Sequence, residues 1–271
     1  MFRNLPTVTK NILIINVIVY FATFVFLKRG IALHDYLGLH YVMAPEFHFW
    51  QPLTYMFMHA NMGHIFSNMF AVLMFGPALE ERWGSRKFLI FYLVTGLGAG
   101  LIQECVWAIQ LAIHLQPLLN HYSLGHDLTN VLPDYVNSFN TVGASGAVFG
   151  ILLAFAWFFP DVRMFILFLP IPIRARTLVI IYALFELFAG VAPVADGIAH
   201  FAHLGGMVFG WLLILWWRFR GHPGCDAPRW ALGRWVKEKW EAVFGKRPPR
   251  INRETDEDSK DYTDYHYHGS V

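Results

Sequence analysis

Residues Thr141 to Gly150 read TVGASGAVFG, and an apolar run from Val148 to Phe159 grows out of the end of that stretch. One hydroxyl, Ser145, sits among Gly143, Ala144, Gly146 and Ala147. Small residues permit a tight turn and the close approach of a second backbone. The run behind them predicts a helix, so Ser145 stands at or near a helix N-terminus. Free backbone N–H groups and the positive end of the dipole favour a developing anion there. A serine held in this way is a candidate nucleophile. It also reads as a packing residue or an N-cap, and the rest of the chain has to decide.

Of the 271 residues, 56% are hydrophobic and only 15% charged, against about 25% charged in soluble domains. The charges cluster and leave several nearly uncharged runs of about 20 residues, the signature of membrane spans. The net charge of +2 is uninformative, and no basic patch points to nucleic acid. The N-terminal MFRNLPTVTK lacks a clear small-residue cleavage site and reads as the lead into a first span, not a signal peptide. Cys105 and Cys225 fall at opposite membrane faces, so no disulfide between them is expected.

The predicted fold is an all-α, polytopic membrane bundle of six transmembrane helices, at roughly 10–27, 53–79, 86–108, 145–160, 177–193 and 198–217. Arg82, Arg86 and Lys87 follow the second span, and Arg163, Arg174 and Arg176 follow the fourth. Segment 109–144 has no Lys or Arg. The positive-inside rule then puts both termini in the cytoplasm, with only Lys28 and Arg29 running against it. Spans two, four and six are parallel in this arrangement. From Ser145 to Pro160 the fourth reaches about 24 Å, short of a hydrocarbon core about 30 Å thick. Its start can lie inside the membrane, where irregular backbone such as 140–144 is tolerated only against protein or a wet cavity. An outward-opening cavity with Ser145 at its floor is expected.

Polar residues in the second and sixth spans point to the same depth. In MFMHANMGHIFSNMF, His59, His64 and Asn68 interrupt an apolar helix, and His64 and Asn68 are spaced to share a face. Intramembrane polar groups are costly and mark function, or else tie helices together by hydrogen bonds. The sixth span opens GIAHFAHLGGMVFG. Its Gly206 and Gly210 form a small-xxx-small face, as do Gly146 and Gly150 in the fourth. Packing one face on the other would bring His203 beside Ser145. An imidazole within reach of a hydroxyl is the activating pair of nucleophilic catalysis.

Together, HANMGHIFSN, GASG and AHLGG, in that order and with EERWGSRKF after span two, resemble the rhomboid family of intramembrane serine proteases over about residues 10–217. The resemblance implies a six-helix bundle that uses a Ser–His dyad with no third acidic member. Ser145 matches the nucleophile and His203 the general base. His64 and Asn68 match the oxyanion-hole side chains, completed by the Ser145 N–H. Gly206 and Gly210 match the glycines that pack the sixth helix on the fourth. The implied substrates are transmembrane proteins, cut in or near their spans within the lipid bilayer, with no cofactor. Two positions depart from the family's pattern. Trp50-Gln51 stands where a Trp-Arg pair is frequent, and Phe149 stands where some members stack a tyrosine on the base.

From sequence, no acidic group is evident beside His203, and Glu186 reads as an isolated intramembrane acid. His114, His121, His126 and His200 raise a peripheral metal site, but zinc-type spacing and HExxH are absent, so no metal is expected. The alternatives are a catalytically inactive relative that binds transmembrane clients, and a transporter or channel. The transporter would call for inverted repeats and paired charges that the sequence lacks. The domain reading is a protease domain over 1–220, an amphipathic membrane-surface segment over 221–246 and a disordered tail over 247–271. With neither an added soluble domain nor a presequence, a bacterial plasma membrane is the expected location.

Overall fold

The computed structural model describes residues 5–122, 128–166, 169–192, 198–222 and 224–225. All of them fall in the first of two compact units, Met1–Pro228. The sequence readings for 226–271, and thus for nearly all of the amphipathic segment and the tail, lie outside the described residues.

The chain opens with α1 (Thr7–Leu27), followed by the short α2 (Leu33–Leu37), β1 (Leu39–His40), α3 (Gln51–Thr54) and a tight turn of helix at Tyr55–Phe57. Then come α4 (Met62–Trp83), α5 (Ser85–Tyr122), α6 (Leu128–Asn137) and β2 (Asn140–Thr141). The last elements are α7 (Ser145–Phe158), β3 (Arg163–Ile166), β4 (Leu169–Arg174), α8 (Ala175–Val191) and α9 (His200–Phe219). Among the described residues, Thr7–Leu27, Met62–Trp83, Ser85–His114 and His200–Phe219 are long and apolar enough to cross a membrane. The apolar α7 is shorter, at 14 residues, or about 21 Å.

Helix α7 is the hub. Ten of its residues are buried, as befits a helix apolar on all sides, and it packs on α4, α5, α8 and α9. Val72, Phe88, Phe91, Ala99, Ile151 and Ile214 are fully buried where these helices meet. The outer helices keep large apolar side chains on their free faces, as with Phe21 (58% exposed) on α1 and Phe188 (71%) on α8. Such faces suit lipid, not water.

Three local readings change. The second span begins at Met62, not near 53. Asn61 has extended backbone, and its side-chain oxygen accepts from the His64 N–H at 2.9 Å, capping α4. His59 therefore lies ahead of the helix. The third helix runs past 108 to Tyr122. The bundle is also not purely helical. β1 pairs antiparallel with β2, and β3 with β4. Pro170 and Pro172 deny the latter segment a helix, since proline removes the donor that a helix interior needs.

A buried carboxylate ties the first helix to the bundle. Glu80, near the end of α4, is 2% exposed. It accepts from the backbone N–H groups of Val8 (2.9 Å) and Thr9 (2.7 Å), the Thr9 hydroxyl (2.8 Å) and the Ser85 hydroxyl (2.6 Å). The first-turn N–H groups of α1 have no partner within their own helix, and Pro6 at its N-cap offers no side-chain bond. A carboxylate from another helix satisfies them and complements the dipole. Glu80→Ala should therefore cost about 2–3 kcal/mol, read as a lowered thermal midpoint in detergent. Glu80→Gln, which retains acceptor capacity, should lose less.

Candidate active site

Close contact between α7 and α9 builds the site. A Cβ at Gly206 would overlap the backbone carbonyl of Gly146, and one at Gly210 would stand 3.5 Å from the Gly150 Cα. The two helices thus meet backbone to backbone. Ser145 is the first residue of α7 and His203 lies in the first turn of α9. Across that contact His203 Nε2 is 2.8 Å from Ser145 Oγ. Phe149, one turn on from the serine, stacks on the imidazole with ring centroids 4.4 Å apart and planes at 9°. The phenyl face fixes the ring plane without a hydroxyl.

The other ring nitrogen corrects the sequence reading. Glu186 is not isolated: its Oε2 lies 2.9 Å from His203 Nδ1 and 2.6 Å from His200 Nδ1. The acid is 5% exposed and comes from α8. A carboxylate can only accept, so the pattern assigns the proton of His203 to Nδ1 and leaves Nε2 to accept from the serine hydroxyl. The available signal was an acid within an apolar helix, facing a helix that carries two histidines three apart. The pairing itself depends on how α8 docks, which spacing does not reveal.

On the other side of Ser145 stand His64 and Asn68, both on α4. Gly143 has φ +138°, and a Cβ there would come within 2.7 Å of the His64 imidazole. Glycine at 143 leaves room for that ring beside the serine. Asn68 is 5% exposed, and its Nδ2 has no hydrogen-bond partner among the described residues. A buried, unpaired amide donor is costly unless something binds it. The Ser145 N–H, at the start of α7, has no partner within its own helix. His64, Asn68 and Ser145 line one cavity. His59 is fully buried behind His64, with ring centroids 5.1 Å apart.

The preceding loop is braced from outside the helices. Leu39 pairs with Thr141 and His40 with Asn140, and the Gly143 N–H donates to the Tyr55 carbonyl at 2.9 Å. Gln51, fully buried, knots the segment on which β1 rides. Its Oε1 accepts from the His40 N–H (3.2 Å), and its Nε2 donates to the carbonyls of Glu46 (2.8 Å) and Asp35 (3.3 Å). A cavity of about 630 Å³, lined by His64, Asn68, Ser145, Phe149 and His203 among others, opens at the site.

Glu186, His200 and His203 also have donor atoms all within 4.8 Å of one another, as a metal site needs. Their nitrogen–oxygen separations of 2.6 and 2.9 Å are hydrogen-bond lengths, shorter than the separation of about 3.3 Å between ligands on one tetrahedral zinc. Of the other histidines singled out in the sequence, His114 bonds the Gln110 carbonyl through Nδ1 at 2.8 Å. The side chains of His121 and His126 lie outside the described residues.

Substituting Gly206 tests the helix contact. Gly206→Ala puts a methyl group against backbone that cannot rotate away. It should cost at least about 1–3 kcal/mol and weaken serine labelling by a fluorophosphonate. An unchanged thermal midpoint would mean the helices are not in backbone contact.

Comparison with known proteins places the chain in a family. A Rhomboid domain matches residues 46–219. The chain is similar to the Rhomboid protease AarA of Providencia stuartii, 27% identical over 218 residues, which cover 76% of this chain and 70% of that protein. It is also similar to two proteins of Arabidopsis thaliana. Rhomboid-like protein 11, chloroplastic, is 34% identical over 140 residues, covering 52% of this chain and 38% of that protein. RHOMBOID-like protein 1 is 27% identical over 170 residues, covering 60% and 33%. The chain thus spans about a third of the length of these two plant relatives. The matched domain covers well over half of this chain and includes every residue of the Ser145 site, so the chain belongs to the rhomboid family of membrane proteins.

Proposed function

We propose that this chain is an intramembrane serine endopeptidase that cleaves other membrane proteins in or near their transmembrane segments. The observation that carries the reading is the 2.8 Å approach of His203 Nε2 to Ser145 Oγ at the wall of a polar-lined cavity. In the proposed reaction His203 takes the serine proton as Oγ attacks the scissile carbonyl. Asn68 Nδ2, the His64 ring and the Ser145 N–H would donate to the resulting oxyanion. His203 then protonates the leaving amine, and a water from the cavity hydrolyses the acyl-enzyme by the same steps in reverse order of proton transfer.

The proposed topology has six spans, with α7 and α8 joining the four longer helices. Both termini are on the cytoplasmic side and the cavity opens outward. Arg82, Arg86, Arg163, Arg174 and Arg176 on one set of connections support this orientation. The proposed location is a bacterial plasma membrane. A transmembrane helix hides its carbonyls in its own hydrogen bonds. The preferred substrate segment is therefore one that unwinds locally, so that its scissile carbonyl can meet the serine.

Fluorophosphonate labelling of the purified protein tests the reading. Wild type should label and lose all labelling in Ser145→Ala. His203→Ala should slow labelling by at least 10³-fold, in line with loss of a general base (roughly 10²–10⁴) together with ring positioning. Asn68→Ala should reduce the cleavage rate of a transmembrane reporter by about 10²–10³. A wild-type protein that does not label would favour an inactive relative that binds transmembrane clients, and labelling that survives Ser145→Ala would refute the assigned nucleophile.

A further inference from the structure

We propose that Glu186 is a positioning residue for His203, and that His200 holds Glu186 in place, so that the serine–histidine pair works with an acidic third member supplied by α8. The inference rests on the protease reading above but on separate atoms. The two histidines converge through their Nδ1 atoms on a single carboxylate oxygen, at 2.6 Å for His200 and 2.9 Å for His203. All three residues are buried, with exposures of 5% for Glu186, 5% for His200 and 9% for His203.

A lone carboxylate among apolar helices is strongly disfavoured. This one is tolerated because two N–H donors meet it. Two donors on one oxygen also fix its direction more tightly than one would. His203 is then gripped on three sides: the Phe149 face sets the ring plane, Oε2 sets the rotation and the tautomer, and Ser145 lies at the free nitrogen. When His203 takes the serine proton it becomes a cation, and the Glu186 carboxylate stands in contact with that charge. No proton passes to Glu186 in this scheme. It orients the ring and stabilises the imidazolium electrostatically. The remaining titratable group near the imidazole is His64 of α4, across the cavity. It adds no negative charge, so Glu186 carries the effect alone among the described residues.

The test uses the full chain in detergent micelles, with labelling rate, kcat and KM on a transmembrane reporter, and the thermal midpoint measured together. Glu186→Gln keeps the size of the side chain but offers an amide donor to Nδ1, which favours the tautomer that cannot accept from serine. It should lower kcat by about 10²–10⁴ with KM within about twofold of wild type. Glu186→Asp, which restores a carboxylate, should recover at least about tenfold of that loss. His200→Ala should lower kcat by about 10-fold to 100-fold through the loosened acid. A folded Glu186→Gln variant with kcat within twofold of wild type overturns the proposal.

Nitrogen-15 NMR of histidine-labelled protein supplies a readout independent of activity, with the His203 signals assigned by their loss in His203→Ala. In wild type, Nδ1 of His203 should be the protonated nitrogen and Nε2 the bare one. The opposite tautomer overturns the proposal even if the Glu186 and His200 variants misfold. If wild type fails to label at Ser145 but shows the expected tautomer, the protease reading falls and the role of Glu186 in setting the ring stands.

Discussion

The backbone contact of α9 on α7 is the constraint on which the site depends. Lipid offers helices no hydrophobic reason to associate, so close packing must supply the attraction. Gly206 against the carbonyl of Gly146, with Gly210 beside Gly150, brings the axes together as no larger residue would allow. The hydroxyl and imidazole project from that contact with no loop between them and their helices. Their 2.8 Å separation is thus a property of the bundle itself, the kind of rigid support that a reacting pair needs.

Three buried polar side chains tie separate elements of this bundle together. Glu80 satisfies the free N–H groups of α1. Gln51 gathers one N–H and two carbonyls of the segment that carries β1. Glu186 receives two imidazole N–H groups. An unpaired polar group in so apolar a setting costs several kcal/mol, so these side chains act as clasps. The Nδ2 of Asn68, in the lining of the Ser145 cavity, is buried without a partner among the described residues, as are both ring nitrogens of His59.

The loop that delivers Ser145 is as much a product of the segment ahead of α4 as of its own sequence. β1 pairs with it, and the Tyr55 carbonyl takes the N–H of Gly143. Gly143 then turns through a conformation that other residues rarely adopt and leaves space for the His64 ring. This arrangement accounts for how a segment of irregular backbone can sit beside an apolar core: its polar groups find partners in another part of the chain instead of in water.

Much was legible in the residues alone. The low charge content, the apolar runs and the small-residue faces told of a helical membrane bundle, because lipid imposes length and composition on anything that crosses it. Ser145, His203, His64 and Asn68 stood out because hydroxyl, imidazole and amide groups are conspicuous in such runs, and their motifs in order identified the family. The folded chain decided what spacing cannot encode. It started α4 at Met62 through the side chain of Asn61, paired β1 with β2 across about a hundred residues, and set Glu186 against His203. Helical periodicity reports which residues share a face of one helix. Which faces of different helices meet, and hence whether an acid is stranded or partnered, is settled only by tertiary packing.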